Sequence, residues 1–207
     1  MNFLEKRKIL LIISGGIAAY KSLDLIRSLI KIQCEVKTIL TKGGAEFVTP
    51  LSIASLSKNK VYSDMYSVEN ESEMDHISLS RWADLILIAP ATSNIIAKMS
   101  QGISDDLATT VVQASNKSIF VCPAMNVRMW KHASNKQNLE KIKSYNYRII
   151  GPFNGEMACG EYGDGRMADI KYILNELDNF FKSKSNNKKF KAVVTAGPTR
   201  ELSLIHI

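Results

Sequence analysis

Lys8-Ile-Leu-Leu-Ile-Ile-Ser14-Gly15-Gly16 is an unbroken apolar run closed by two glycines. A strand with one wet face alternates polar and apolar residues, so an unbroken run fits a strand covered on both faces, as in a parallel sheet between helices. From Ile17 to Ile32 the apolar residues fall at helical spacing, with Leu25, Ile26, Leu29 and Ile30 on one stripe. Val36 to Leu40 then reads as a second strand, and Thr41-Lys42-Gly43-Gly44 as a loop at its carboxyl end. The unit is βαβ. Its crossover is expected to be right-handed, with ligands bound beyond the carboxyl ends of the strands.

The same alternation continues outward. Leu85 to Ala89 reads as a strand ended by Pro90, Asn94–Ser100 and Asp105–Ala114 as helices, and Ser118 to Cys122 as a strand stopped by Pro123. A helix-compatible stretch from Asn135 to Ser144, a short strand over Arg148–Ile150 and a last helix around Ile170–Phe181 complete the pattern. Together they predict an α/β fold: a three-layer, Rossmann-like domain with a mostly parallel sheet. Five lysines (Lys182, Lys184, Lys188, Lys189 and Lys191) crowd a stretch without acids, which reads as a solvated linker over 182–190. Phe190 to Thr195 resembles a further strand, so residues 191–207 are expected to be the truncated start of a second domain, after a main domain over 1–181.

Composition narrows the function classes. The formal charge of +7 raises the question of a nucleic-acid partner, but the basic cluster has no interleaved aromatics for base stacking, so none is expected. Three cysteines, an odd number without regular spacing, argue against a disulfide framework and fit a reducing cytoplasm. No apolar stretch approaches the roughly 20 residues needed to span a bilayer, so no membrane partner is expected. Three scattered histidines, with no Cys-x-x-Cys or His-x-x-x-His spacing, give no metal site.

Four loops follow predicted strands: Ser14 to Ile17, Thr41 to Gly44, Pro90 to Asn94 and Pro123 to Asn126. Each alone reads equally as a turn or a helix cap. Together on one sheet edge, small residues and hydroxyls at helix N-termini suit a phosphorylated cofactor. Gly15-Gly16 lacks the G-x-G-x-x-G fingerprint and no P-loop occurs, which leaves a mononucleotide such as FMN. Cys34 and Cys122 read as small buried hydrophobes. Cys159, in Met157-Ala-Cys-Gly-Glu-Tyr-Gly-Asp-Gly-Arg-Met167, sits among glycines in a loop, open to a chemical role or to loop architecture alone. His76 follows Asp75 and is either a proton-transfer group or an ordinary histidine at a helix start. Asn126 heads Val127-Arg-Met-Trp130 and is either a cap or a ligand for a polar substrate.

Four segments, taken in order, resemble the flavin-containing cysteine decarboxylase family: Ser14-Gly-Gly-Ile-Ala-Ala-Tyr-Lys21, Ala89-Pro-Ala-Thr-Ser-Asn-Ile-Ile-Ala-Lys98 with Gly102 to Leu107, Pro123-Ala-Met-Asn-Val-Arg-Met-Trp130, and Ala158 to Met167. The resemblance is greatest to the phosphopantothenoylcysteine decarboxylases fused to a phosphopantothenate–cysteine ligase. It implies a carboxy-lyase that uses FMN to convert 4′-phosphopantothenoylcysteine to 4′-phosphopantetheine in coenzyme A biosynthesis. It further implies that the flavin first oxidises the substrate's thiol end, so that carbon dioxide can leave, and then returns the electrons. By the same resemblance His76, Asn126 and Cys159 are catalytic, with Asn126 on the substrate carboxylate and Cys159 a proton donor on a mobile flap. Met125 and Ala158 join Asn126 in substrate binding, and FMN contacts come from Ser14, Gly15, Gly16, Ile17, Thr41, Thr92, Ser93, Asn94 and Ile95. A cytoplasmic homotrimer, or a higher assembly of trimers, is implied. Val193 to Glu201 resembles the opening of the ligase domain, but Leu202 departs from its pattern, so no ligase activity is expected. A flavin prenyltransferase would not need the Ala158 to Met167 segment, and a non-catalytic regulatory protein would not need His76, Asn126 and Cys159 together.

Overall fold

The computed structural model describes residues 3–63, 65 and 75–186. Six parallel strands form the main sheet: β1 (Lys8–Ile13), β2 (Glu35–Leu40), β3 (Val61–Tyr62), β4 (Leu85–Ala91), β5 (Ser118–Pro123) and β6 (Arg148–Ile149), in the order β3-β2-β1-β4-β5-β6. Side-chain alternation explains the layers. Ile9, Leu11, Ile13, Leu85 and Leu87 enter one core with α1 (Tyr20–Lys31), while Leu10, Ile12, Ile86 and Ile88 enter the other. Strands wetted by neither face have no reason to alternate polarity, which is why the run at Lys8 decides the fold.

Short α2 (Lys42–Ala45) and α3 (Pro50–Ser57) follow β2, and α4 (Asp75–Trp82) precedes β4. Next come α5 (Ser93–Gln101), α6 (Leu107–Gln113), α7 (Val127–Lys131), α8 (Ala133–Ser144) and α9 (Ile170–Asn186). A separate antiparallel hairpin joins β7 (Phe153–Glu156) to β8 (Tyr162–Arg166). No described helix is long and apolar enough to cross a membrane.

Several expectations are corrected. Thr41 to Gly44 is a capped helical turn rather than a loop, because the Thr41 hydroxyl accepts the Gly44 N–H. Pro90 and Pro123 lie within their strands. The register between β4 and β5 shifts between Ile88 and Ala91, and an acceptor-only residue is tolerated there. The glycine-rich stretch around Cys159 is a hairpin, whose alternation is hidden because glycines hold much of one face. Helix α9 continues past Phe181 to Asn186, into the segment read as linker. The rest of that linker and the expected domain start over 191–207 lie outside the described residues.

Candidate functional site: two cavities meeting at Gly16

The strand order reverses between β1 and β4, and the loops after them diverge from a common point. Ser14 binds those loops together: its buried hydroxyl donates to the Pro90 carbonyl at 2.7 Å and accepts the Thr92 N–H at 3.1 Å. The Thr41 N–H donates to the Ile13 carbonyl at 3.1 Å, which fixes the loop after β2 to the end of β1. The Thr92 hydroxyl caps α5 by accepting the Ile95 N–H at 3.3 Å. Gly16, at φ +95°, caps the next turn with no side chain at all, leaving amide donors open.

These loops wall a cavity of about 810 Å³. Of the nine residues expected to hold the cofactor, Ser14, Gly15, Gly16, Thr41, Thr92, Asn94 and Ile95 line it. Ile17 faces a second cavity instead, and the Ser93 hydroxyl turns toward the Asn135 side chain at 3.5 Å. Sequence reasoning passed over the far wall. There the Lys98 ammonium donates to Asp105 at 2.7 Å and to Asp106 at 3.0 Å. Burial alone would push the Asp106 carboxyl up, but the Thr109 N–H and hydroxyl and the Lys98 ammonium outweigh it and hold the group below its ordinary range. The hydrogen bond to Asp105 is the main reason that Lys98 is held above its own range. The signal for this wall was Asp106 three residues before Thr109, a helix-cap spacing.

The second cavity, about 330 Å³, shares Gly16 with the first. Met125 and Asn126 line one side, Ala158 and Cys159 another, and Tyr20 and Lys21 a third. Asn126 caps α7: its Oδ1 accepts the Met129 N–H at 2.8 Å, which commits the carbonyl oxygen and leaves Nδ2 as the free donor. Cys159 is exposed, in a turn closed by the Gly160 N–H on the Met157 carbonyl at 2.9 Å. The hairpin docks through Gly165. Its carbonyl accepts the Met125 N–H at 3.0 Å, and a Cβ there, at φ +141°, would fall on the Met125 carbonyl oxygen. Residues more than thirty positions apart thus meet by backbone contact.

Lys21 and Arg166, neither given a role from sequence, line this cavity together with Glu156. Burial lowers the Lys21 ammonium from its ordinary value, the Arg166 guanidinium lowers it further, and Asp169 opposes both. Arg166 forks onto Asp169 at 3.1 and 3.4 Å. His76 is half-buried at the start of α4 and lines neither cavity. Cys34 and Cys122 are buried, as expected. Among the described residues no cluster of His, Cys, Asp or Glu could hold a metal ion.

Comparison with known proteins gives the family. The chain is 42% identical over 198 residues to the coenzyme A biosynthesis bifunctional protein CoaBC of Haemophilus influenzae, covering 96% of this chain and 50% of that protein. It is 39% identical over 200 residues to the CoaBC of Bacillus subtilis, covering 96% and 49%. The chain therefore spans about half the length of these relatives. Among solved structures, a PPC decarboxylase mutant complexed with pantothenoylaminoethenethiol matches with a TM-score of 0.76 at 29% identity, covering 86% of this chain and all of that one. The FMN-binding protein AtHal3 matches with a TM-score of 0.74 at 32% identity, covering 86% and 98%. The Flavoprotein family model matches residues 2–182, which takes in the residues of both cavities and of the hairpin, and the chain belongs to that family.

Proposed function

We propose that this chain catalyses the FMN-dependent, redox-neutral decarboxylation of 4′-phosphopantothenoylcysteine to 4′-phosphopantetheine in coenzyme A biosynthesis. One observation carries the reading: Asn126 and Cys159, from separate elements, line one small cavity that has Gly16 in common with the larger one. A flavin prenyltransferase gives no reason for a thiol to share a cavity with that amide. The CoaBC relatives and the PPC decarboxylase likeness support the same reaction.

The larger cavity fits a flavin mononucleotide on its own features. About 810 Å³ is within the range of cofactor sites, and the Gly16 turn offers amide donors without a competing side chain. Ser14, Gly15, Gly16, Thr41, Thr92, Asn94 and Ile95 would hold it. When bound, the flavin would supply the oxidation that makes loss of carbon dioxide feasible and the reduction that restores the product's thiol. The chain's own groups do the rest. Asn126 Nδ2 donates to the substrate carboxylate and orients it for loss as carbon dioxide. Met125 and Ala158 confine the cysteine end, and Cys159 delivers a proton to the ene-thiol carbon after carbon dioxide has left.

His76 lies outside both cavities, so its catalytic role requires a second protomer. In a homotrimer with the flavin between subunits, His76 of the partner subunit would complete the site. Such an assembly fits a cytoplasmic enzyme.

The test is an absorbance spectrum followed by an assay. Purified protein should be yellow and should release carbon dioxide and 4′-phosphopantetheine without added NAD(P)H. A colourless protein that stays inactive in excess FMN overturns the proposal.

A further inference from the structure

Glu161 follows the Cys159 turn and precedes β8 by one residue. The pleat places it on the same face as Gly163 and Gly165, the face that meets Val127 and Met125. Its Oε2 is buried and has no hydrogen-bond partner. A carboxylate oxygen shielded from water without a donor is costly, so a partner is expected nearby. A surface cavity of about 760 Å³ between the hairpin and α7 is lined by Glu161 together with Arg128 and Lys131. These two cations are exposed, sit three residues apart on α7, and enter none of the ion pairs among the described residues. His132, at the same cavity, is engaged with the Ser134 hydroxyl at 2.7 Å.

The two cations alone would suit an anionic ligand. With a carboxylate in the same cavity, the anion is already supplied by the chain. The positions matter because Arg128 lies two residues after Asn126, and Glu161 two after Cys159. We propose that Glu161 and Arg128 close into an ion pair that latches the Cys159 turn onto the Asn126 loop, making both of them positioning residues. Arg128 is the partner rather than Lys131 because its planar fork can engage both carboxylate oxygens and it is nearer in the chain to Asn126. The consequence for turnover rests on the decarboxylase reading; the latch does not.

Hydrogen exchange at the Met125 amide, which donates to Gly165 across the docked surfaces, reads the latch directly. In FMN-saturated protein, Glu161→Gln and Arg128→Gln should each speed that exchange about fivefold, with amides of β1 unchanged. The exchanged pair Glu161→Arg with Arg128→Glu should return it to within about twofold of the parent. Unchanged exchange in both single variants, or no recovery in the pair, overturns the latch. If a variant loses β1 protection, the unmodified protein decides: salt at about 1 M should accelerate Met125 alone, and no acceleration overturns the proposal. Both single variants should also release more oxidised ene-thiol. If Met125 responds as expected in a protein that never decarboxylates, the latch stands and the decarboxylase reading falls.

Discussion

The two cavities are walled by opposite means. The larger one is framed by loops that leave buried strands and are tied to one another by the Ser14 hydroxyl and the Thr41 N–H, so its shape is set by the same core that sets the fold. The smaller one is closed by a two-stranded hairpin that carries an exposed cysteine and docks on the Asn126 loop through Gly165. A cofactor that stays bound suits the rigid wall, and a substrate that must enter and leave suits the light one.

The largest expected effect is on the hairpin side. Cys159→Ser should lower product formation on the order of 10³-fold while carbon dioxide is still lost, with dioxygen in air reoxidising the reduced flavin, so that a species lighter than the product by two hydrogens accumulates in mass spectra. Normal product formation would remove Cys159 from the reaction. Asn126→Asp comes next. The carboxylate can still accept the Met129 N–H and cap α7, but it offers the substrate carboxylate a like charge, so kcat/KM should fall on the order of 10²-fold with unfolding unchanged. An equal loss of stability would mean that the cap, not the free donor, is what matters.

On the rigid side the response should appear in folding. A Cβ at Gly44 would lie 2.6 Å from the Ile13 carbonyl oxygen and 2.8 Å from Leu40 Cδ1, so Gly44→Ala should cost about 2 kcal/mol in urea unfolding and weaken flavin binding in a titration. The smallest effect belongs to the core farthest from chemistry. Burial pushes the Cys34 thiol up from 9.0 to about 11, so above its unfolded pKa the unfolded chain sheds a proton that the folded chain keeps. Stability should decline as pH rises between about 9 and 11, and Cys34→Ala should flatten that decline even if it lowers stability near neutrality. An unchanged slope would place the alkaline sensitivity elsewhere.

These contrasts also mark what could be read in advance. Loops after buried strands were legible because each apolar run ends at glycine, threonine or proline, and seven of nine expected cofactor residues line the larger cavity. Ser93 does not line that cavity because adjacent helix residues point in different directions, and its hydroxyl meets α8. Lys21 and Arg166 lie in the quoted segments but were given no role, because only the fold brings them to one cavity.

The sequence by itself determined the layered fold and the switch-point edge, and it singled out Asn126 and Cys159 for test, because burial on both faces leaves a periodic trace and rare residue types stand out in loops. Only the tertiary structure decided that Asn126 and Cys159 line one cavity, that Glu161 lines another beside α7, and that His76 lines neither of the two site cavities. Those relations depend on backbone contacts such as Met125 with Gly165, between residues far apart in the chain, and no local spacing encodes them.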